Sequence, residues 1–110
     1  MLAVYEELFY GKVDVVFFGH VHAYERHFPC YKDKIDAKAP VYITIGDAGN
    51  REGLYDDWVS PTPACSAFQK AEYGHGLLHA NATALVWEWH RDADAESVIS
   101  DRTLIAAKSE

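Results

Sequence analysis

Basic residues are scarce in this sequence. The 110 residues include 10 Lys and Arg against 17 Asp and Glu, which gives a formal net charge of −7 and a pI of about 5.2. Nucleic acids and anionic membrane surfaces are bound mainly through clustered positive charge. The charge balance therefore predicts that neither is a partner of this chain.

Long apolar runs are also missing. No stretch approaches the roughly 20 apolar residues that a membrane-spanning helix needs. The first residues, M-L-A-V-Y-E-E-L, carry two acids and no basic segment, so they predict no signal peptide in this chain. We expect no membrane partner.

Cysteine is nearly absent, with only Cys30 and Cys65. The two could form a disulfide in an oxidising compartment, but spacing along the chain does not show whether their Cα atoms come within bridging distance. Buried free thiols are the equal alternative.

The remaining composition is that of a globular protein. Hydrophobic residues make up 49% and charged residues 25% of the chain, and 110 residues suit one small domain with a modest core. No internal repeat, low-complexity tract or linker divides it.

The central motif is a histidine pair that follows an apolar run. Residues 13–18, V-D-V-V-F-F, predict a strand buried on both faces. Gly19 is predicted to permit a sharp turn at positive φ. His20 and His22 follow, and side chains at i and i+2 of an extended chain point to the same side. Such a pair can bind one transition metal ion, or one each of two ions about 3.5–4 Å apart.

Four segments, in order, resemble blocks of one enzyme family. They are G-H-V-H-A-Y-E-R at 19–26, V-Y-I-T-I-G-D-A-G-N at 41–50, S-A-F-Q-K-A-E-Y-G-H-G at 66–76 and W-E-W-H-R-D-A-D at 87–94. The G-H-x-H element is similar to that of the calcineurin-like metallophosphoesterases, and the added A-Y-E-R resembles the purple acid phosphatase branch. The resemblance covers nearly the whole chain.

The resemblance implies a fold and a chemistry. The fold is α/β, the C-terminal part of the metallophosphoesterase sandwich: a short helix, a buried strand, a loop, then mostly strands ending in a β-hairpin. The activity implied is hydrolysis of phosphate monoesters at a bimetallic site holding Fe³⁺ and a divalent Zn, Mn or Fe ion. His20 matches the ligand of the divalent metal and His22 the ligand of the ferric ion. The resemblance also implies secretion.

The family's earlier ligand blocks, D-x-G, G-D-x-x-Y, G-N-H and a further histidine, are missing here. We therefore expect residues 1–110 to be an incomplete, C-terminal portion of a catalytic domain, inactive in isolation. The alternatives are a metallophosphoesterase acting on phosphodiesters or nucleotide anhydrides, and a non-catalytic remnant. The sequence does not choose a substrate or an oligomeric state.

Three polar residues near the motif have two interpretations each. Arg26 could contact phosphate, but a structural ion pair with Glu25 is favoured. Asp47 could be a third metal ligand, but an Asp in a tight turn more often bonds nearby backbone N–H groups. The other four histidines show no ligand spacing. We expect His75 to be structural and packed near the site, and the remaining three to be surface or strand residues: His27, His79 and His90.

Secondary structure follows from pattern. We expect a helix at 1–10 ending at Gly11, a loop at 32–38, a strand at 41–45, a loop at 51–64, extended chain or one turn at 66–72 with Phe68 buried, and a hairpin of strands 83–90 and 97–106. Leu54 and Trp58 are expected to anchor the 51–64 loop to the core or to line a pocket. Asn81-Ala82-Thr83 fits the N-glycosylation pattern at a strand junction, which makes Asn81 a candidate glycan acceptor.

Overall fold

The computed structural model describes residues 2–49, 53–55, 58, 63–95 and 98–106. Within these residues the chain forms one helix and nine strands in three sheets. The elements are α1 Leu2–Phe9, β1 Val15–Phe18, β2 Tyr24–His27, β3 Cys30–Tyr31, β4 Lys34–Ile35, β5 Val41–Ile45, β6 Ser66–Lys70, β7 Gly74–Ala80, β8 Ala84–Arg91 and β9 Asp101–Ala106. The helix in the described part of the chain is not long and apolar enough to cross a membrane.

The helix matches the prediction closely. Gly11 stops α1 by adopting φ +72°, a conformation that L side chains rarely take. Its N–H donates to the carbonyl of Lys38 at 2.8 Å, so the end of the helix is fastened to the chain that enters β5. Tyr5 and Leu8, which are three residues apart and therefore lie on one face of α1, are both exposed. The described part of the chain does not cover this face of α1.

A mixed four-stranded sheet carries the histidine motif. Its strand order is β1-β5-β2-β6, with β1 and β5 parallel and the other pairs antiparallel. The prediction for β5 is confirmed at both ends. The prediction that 13–18 is buried on both faces is wrong for the described residues. There β1 is an edge strand, and its Phe17 is 40% exposed.

Strand β2 was not predicted. Its sequence Y-E-R-H is too short and too polar to show a strand pattern, yet it lies between β5 and β6. It is stabilised by hydrogen-bonded partners on both sides, a tertiary effect that overrides weak local preference.

The second sheet is antiparallel, with order β7-β8-β9. The predicted hairpin is confirmed as β8 and β9, although β9 begins at Asp101 and residue 97 lies outside the described residues. Asp92 to Asp94 form a turn directly after β8. Gly76 is required here, because a Cβ at that position would overlap the indole ring of Trp87 on the neighbouring strand.

The core lies between these two sheets. Its buried members are Tyr24, Val41, Ile43, Trp87, Trp89 and Ile105. The rings of Tyr24 and Trp89 stack with centroids 4.3 Å apart and planes 5° apart. Aromatic pairs of this kind contribute about 0.5–1.5 kcal/mol beyond the area that they bury. Phe68, expected to be buried, is partly buried against this cluster from β6, so the extended interpretation of 66–72 is confirmed for 66–70.

The loop predicted at 32–38 is partly wrong, because β3 and β4 form a small hairpin there. Its turn residues Lys32 and Asp33 both have positive φ, 51° and 65°. Such turns usually contain Asn-Gly or Asp-Gly, so the dipeptide Lys-Asp did not predict one.

The open question on cysteine is settled in favour of a disulfide. Cys30 in β3 is bonded to Cys65 just before β6, with Cα atoms 6.1 Å apart. The bond joins residues 35 apart in the chain. It therefore ties the small hairpin to the edge of the four-stranded sheet. Of the predicted loop at 51–64, residues 51–52, 56–57 and 59–62 lie outside the described residues.

Candidate metal centre

The two motif histidines lie in a five-residue bend, 19–23, between β1 and β2. The N–H of Ala23 donates to the carbonyl of Val21 at 2.9 Å, which closes a tight turn around His22. The carbonyl of His22 accepts a hydrogen bond from the N–H of Tyr55 at 2.8 Å. The bend is thus held both from within and by a segment more than thirty residues further along.

The glycine that shapes this bend is not the expected one. Gly19 does not have positive φ, and a Cβ placed on it would meet nothing within 4 Å. At Gly46, which follows β5, a Cβ would overlap the carbonyl oxygens of Val21 and Gly19. The backbone of the histidine bend therefore packs directly on Gly46, and this close approach leaves no room for a side chain.

His20 and His22 line one cavity, as their spacing predicts. The cavity has a volume of about 390 Å³, is open to solvent and is completed by Val21 and Tyr55. His20 is exposed and His22 is half-buried. Two imidazoles on one wall are a suitable donor set for zinc, iron or copper ions. The contribution of Tyr55 was missed, because nothing in its local sequence signals a contact with the histidine bend.

The described residues supply only part of a metal site. Among them, no group of three or more His, Cys, Asp or Glu side chains is arranged to hold a metal ion. A catalytic zinc site commonly uses three protein ligands, and a two-metal site uses more. The pair fits a metal centre as two of its ligands and does not complete one. Metal binding by His20 and His22 stays a prediction.

Asp47 is a tertiary anchor. It is fully buried, and its Oδ2 accepts a hydrogen bond from the indole N–H of Trp89 at 2.8 Å. Burial raises the pKa of its carboxyl group above the ordinary value, while the bond from Trp89 acts in the opposite direction. The turn interpretation was right about a structural role, but the partner lies on β8 and not in the turn itself.

Arg26 is part of an ion pair between the two sheets. Its Nε and Nη2 donate to the two carboxylate oxygens of Asp101 at 2.8 and 3.0 Å. The hydroxyl of Tyr24 donates to the same carboxylate at 2.7 Å and accepts from the indole N–H of Trp87 at 2.8 Å. The bonds to Asp101 raise the pKa of Arg26. The phosphate contact considered for Arg26 is untested, but its fork is already occupied by a carboxylate.

The expected Glu25–Arg26 pair is wrong, because neighbouring residues of a strand point to opposite faces. Glu25 accepts hydrogen bonds from Ser66 Oγ at 2.8 Å and Gln69 Nε2 at 2.7 Å, and lies 3.2 Å from His27 Nε2. Burial alone would raise the pKa of Glu25, but these hydrogen bonds outweigh it and lower the pKa to about 2.

The other histidines belong to strands, as expected for three of them. His75 differs from expectation, since its side chain is largely exposed, stacks on His90 at 5.4 Å and lies 3.0 Å from a carboxylate oxygen of Asp92. His79 lies 3.3 Å from a carboxylate oxygen of Glu88.

Asn81 lies in the exposed turn between β7 and β8. Its Oδ1 accepts hydrogen bonds from the backbone N–H groups of Thr83 and Ala84, both at 2.9 Å. Glycosylation of this residue remains a prediction, to be tested by a glycan mass shift that disappears in Asn81→Gln.

Comparison with known proteins gives a consistent set of relatives. Residues 39–101 match the family model described as "Iron/zinc purple acid phosphatase-like protein C". Probable purple acid phosphatase 20 of Arabidopsis thaliana is 53% identical over 95 residues, which are 86% of this chain and 22% of that protein. Fe(3+)-Zn(2+) purple acid phosphatase 12 of the same plant is 45% identical over 111 residues, covering 89% of this chain and 24% of that protein.

A solved structure supports the fold alone. Purple acid phosphatase PPD1 from yellow lupin (Lupinus luteus) seeds superposes with a TM-score of 0.74 at 23% identity, over 86% of this chain and 18% of that chain. The α/β fold expected from the resemblance is thereby confirmed. The chain spans about a quarter of the length of the curated relatives that it matches.

Proposed function

The chain belongs to the purple acid phosphatase family, and from that premise we propose that it is the C-terminal portion of a metal-dependent acid phosphatase that hydrolyses phosphate monoesters. The observation that carries the proposal is the pair His20 and His22 on one wall of an open cavity. By family, we propose that the whole protein is secreted.

The proposed metals are Fe³⁺ and a divalent Zn, Mn or Fe ion, in line with the name of the relative Fe(3+)-Zn(2+) purple acid phosphatase 12. His20 would bind the divalent ion and His22 the ferric ion. Once bound, the metals lower the pKa of coordinated water and neutralise charge on the phosphoryl group.

The contribution of the chain's own residues is to present two neutral imidazoles at fixed positions. Both rings must be deprotonated to act as ligands, so protons compete with metal at this site. The bend is held in position because its carbonyl groups pack on Gly46 and because the carbonyl of His22 accepts a hydrogen bond from the N–H of Tyr55. Such support fixes ligand geometry in the way that outer contacts do in other metal sites.

Metal binding by the purified chain tests the histidine assignment. We expect Zn²⁺ to shift the ring signals of His20 and His22 in NMR spectra, with weak affinity. His22→Ala should lower that affinity by about tenfold or more, because one of two ligands is lost. His79→Ala is the matched control, since His79 is an exposed strand histidine paired with Glu88. Equal losses in the two variants would refute the assignment.

A further inference from the structure

A second cavity lies beside the histidine cavity. It has a volume of about 380 Å³ and shares Val21 and Tyr55 with its neighbour. We call it the acidic cavity and define it by three carboxylates and three aromatic rings of its wall: Glu6, Glu25, Asp33, Tyr42, Tyr55 and Trp58. The two cavities are therefore adjacent, with Val21 and Tyr55 contributing to both walls.

The acidic cavity is negatively charged. Its described wall contains three carboxylates, no Lys or Arg, and one histidine, His27, whose Nε2 lies 3.2 Å from a carboxylate oxygen of Glu25. Glu25 is ionised, because hydrogen bonds lower its pKa to about 2. Of its hydrogen-bonding partners, Ser66 and Gln69 are neutral and orient the carboxylate without cancelling its charge, whereas His27 offsets that charge when it is protonated. Glu6 uses one oxygen to accept the backbone N–H of Lys32 at 3.2 Å, which also leaves its charge in place.

The aromatic residues of the wall add a second, independent feature. Tyr42 is 5% exposed, and its hydroxyl has no hydrogen-bond partner within the part of the chain that the structure describes. Burial raises the pKa of this hydroxyl, so it stays neutral, and its oxygen can accept a hydrogen bond from an ammonium N–H. The rings of Tyr55 and Trp58 lie at 84° to each other with centroids 6.3 Å apart, which presents two different π surfaces to the cavity.

We propose that the acidic cavity binds a positively charged alkylammonium group at the far end of the phosphate ester. Aromatic faces beside carboxylates attract ammonium and quaternary ammonium ions through cation–π and Coulomb interactions. The inference rests on the proposed function only for the phosphate to which the group is attached. A second phosphate group placed in this cavity would be repelled by the carboxylates of Glu6, Glu25 and Asp33.

The size and charge of the cavity agree with this ligand. A volume of about 380 Å³ lies within the usual range for small-molecule sites and accommodates a choline-sized head group. A cationic alcohol next to two metal ions would be repelled by them. The carboxylates offset this repulsion, since Coulomb interactions are strong in a partly buried site.

Choline and its uncharged carbon isostere, 3,3-dimethylbutan-1-ol, separate charge from shape. Each is titrated into the isotope-labelled, metal-free 110-residue chain and followed by NMR at the signals of Tyr55 and Trp58. We expect saturable shifts with choline and an affinity for the neutral alcohol that is lower by about tenfold. Equal affinity for the two, or no saturable shift with choline, would overturn the proposal.

Two neighbouring glutamates of α1 provide a matched pair of variants. Glu6 belongs to the cavity wall, whereas Glu7 is exposed outside it. Glu6→Gln should weaken choline binding several-fold, and Glu7→Gln should leave it unchanged. Asp33→Asn, in an exposed turn that suits Asn, should act like Glu6→Gln. The same effect from Glu6→Gln and Glu7→Gln would also overturn the proposal. Because no metal is present, failure here is separate from failure of the histidine assignment.

Discussion

At the residue scale, neighbouring side chains of β2 have unrelated tasks. Tyr24 and Arg26 point toward the second sheet and share the carboxylate of Asp101. Glu25 points to the other face, where Ser66 and Gln69 donate to it. Because successive residues of a strand point to opposite faces, the contact that joins the sheets and the wall of the acidic cavity lie on opposite faces of β2.

The low pKa of Glu25 makes a prediction about stability in acid. A carboxyl whose pKa is about 2 in the folded chain and 4.5 ordinarily stabilises the fold above pH 4.5, and loses that contribution as the pH falls toward 2. The full contribution is on the order of 3 kcal/mol. Urea unfolding from pH 7 to 2 should therefore show a steeper loss of unfolding free energy for the wild type than for Glu25→Gln.

The control is Glu7→Gln, which removes an exposed carboxyl of α1 that lies outside the acidic cavity. Its pH profile should follow the wild type. If Glu25→Gln follows the wild type as well, the contacts of Glu25 with His27, Gln69 and Ser66 do not stabilise the folded chain.

At the element scale, the turn after β5 supports the bend that carries the histidines. Gly46 lies under the carbonyl groups of the bend, and the adjacent Asp47 is bonded to Trp89 of β8. The second sheet thereby fixes β5, and β5 fixes the bend. The proposed metal ligands, His20 and His22, are thus positioned by elements that contain neither of them.

Gly46→Ala tests this arrangement. The added methyl group would overlap the carbonyl oxygens of Val21 and Gly19. We expect a loss of about 1–3 kcal/mol in unfolding free energy, as for other overpacked positions, and shifted NMR signals for His20 and His22.

Gly19→Ala is the control within the same bend, since its Cβ would meet nothing within 4 Å and its φ is not positive. We expect it to be tolerated, with a change of less than about 1 kcal/mol in either direction. If Gly19→Ala destabilised the chain more than Gly46→Ala, the close approach seen at Gly46 would not be what shapes the bend.

At the scale of the whole molecule, the described residues form a folded core and contain only two of the ligands proposed for a metal centre. Two sheets enclose six buried residues around Tyr24 and Trp89, and a disulfide fastens the small hairpin to the first sheet. The described residues bring together two candidate metal ligands, His20 and His22, and no group of three His, Cys, Asp or Glu that could hold a metal ion. The described residues therefore form a packed core but include fewer candidate ligands than a two-metal site needs.

We accordingly expect no measurable turnover of p-nitrophenyl phosphate by the purified 110-residue chain, with Fe³⁺ and Zn²⁺ supplied. Two imidazoles cannot hold two ions in place of the about six or seven protein ligands of a complete bimetallic site. Turnover that is abolished by His22→Ala and kept by His79→Ala would contradict this expectation and show that the chain completes its own site.

The features that depend on neighbouring residues along the chain could be predicted from the sequence. The histidine pair, the strand Val41–Ile45, the hairpin of β8 and β9 and the end of α1 at Gly11 were all predicted, because periodicity and turn chemistry act over a few residues. The family resemblance was also readable, since its motifs are short and contiguous.

Contacts between residues far apart in the sequence are visible only in the folded structure. The bond from Cys30 to Cys65, the pair of Arg26 with Asp101 and the bond from Trp89 to Asp47 join residues 35, 75 and 42 positions apart. The acidic cavity likewise takes its walls from α1, the small hairpin, three strands of the first sheet and the segment around Tyr55. No local pattern encodes such contacts, because they follow from how the sheets pack and not from the preference of any one segment.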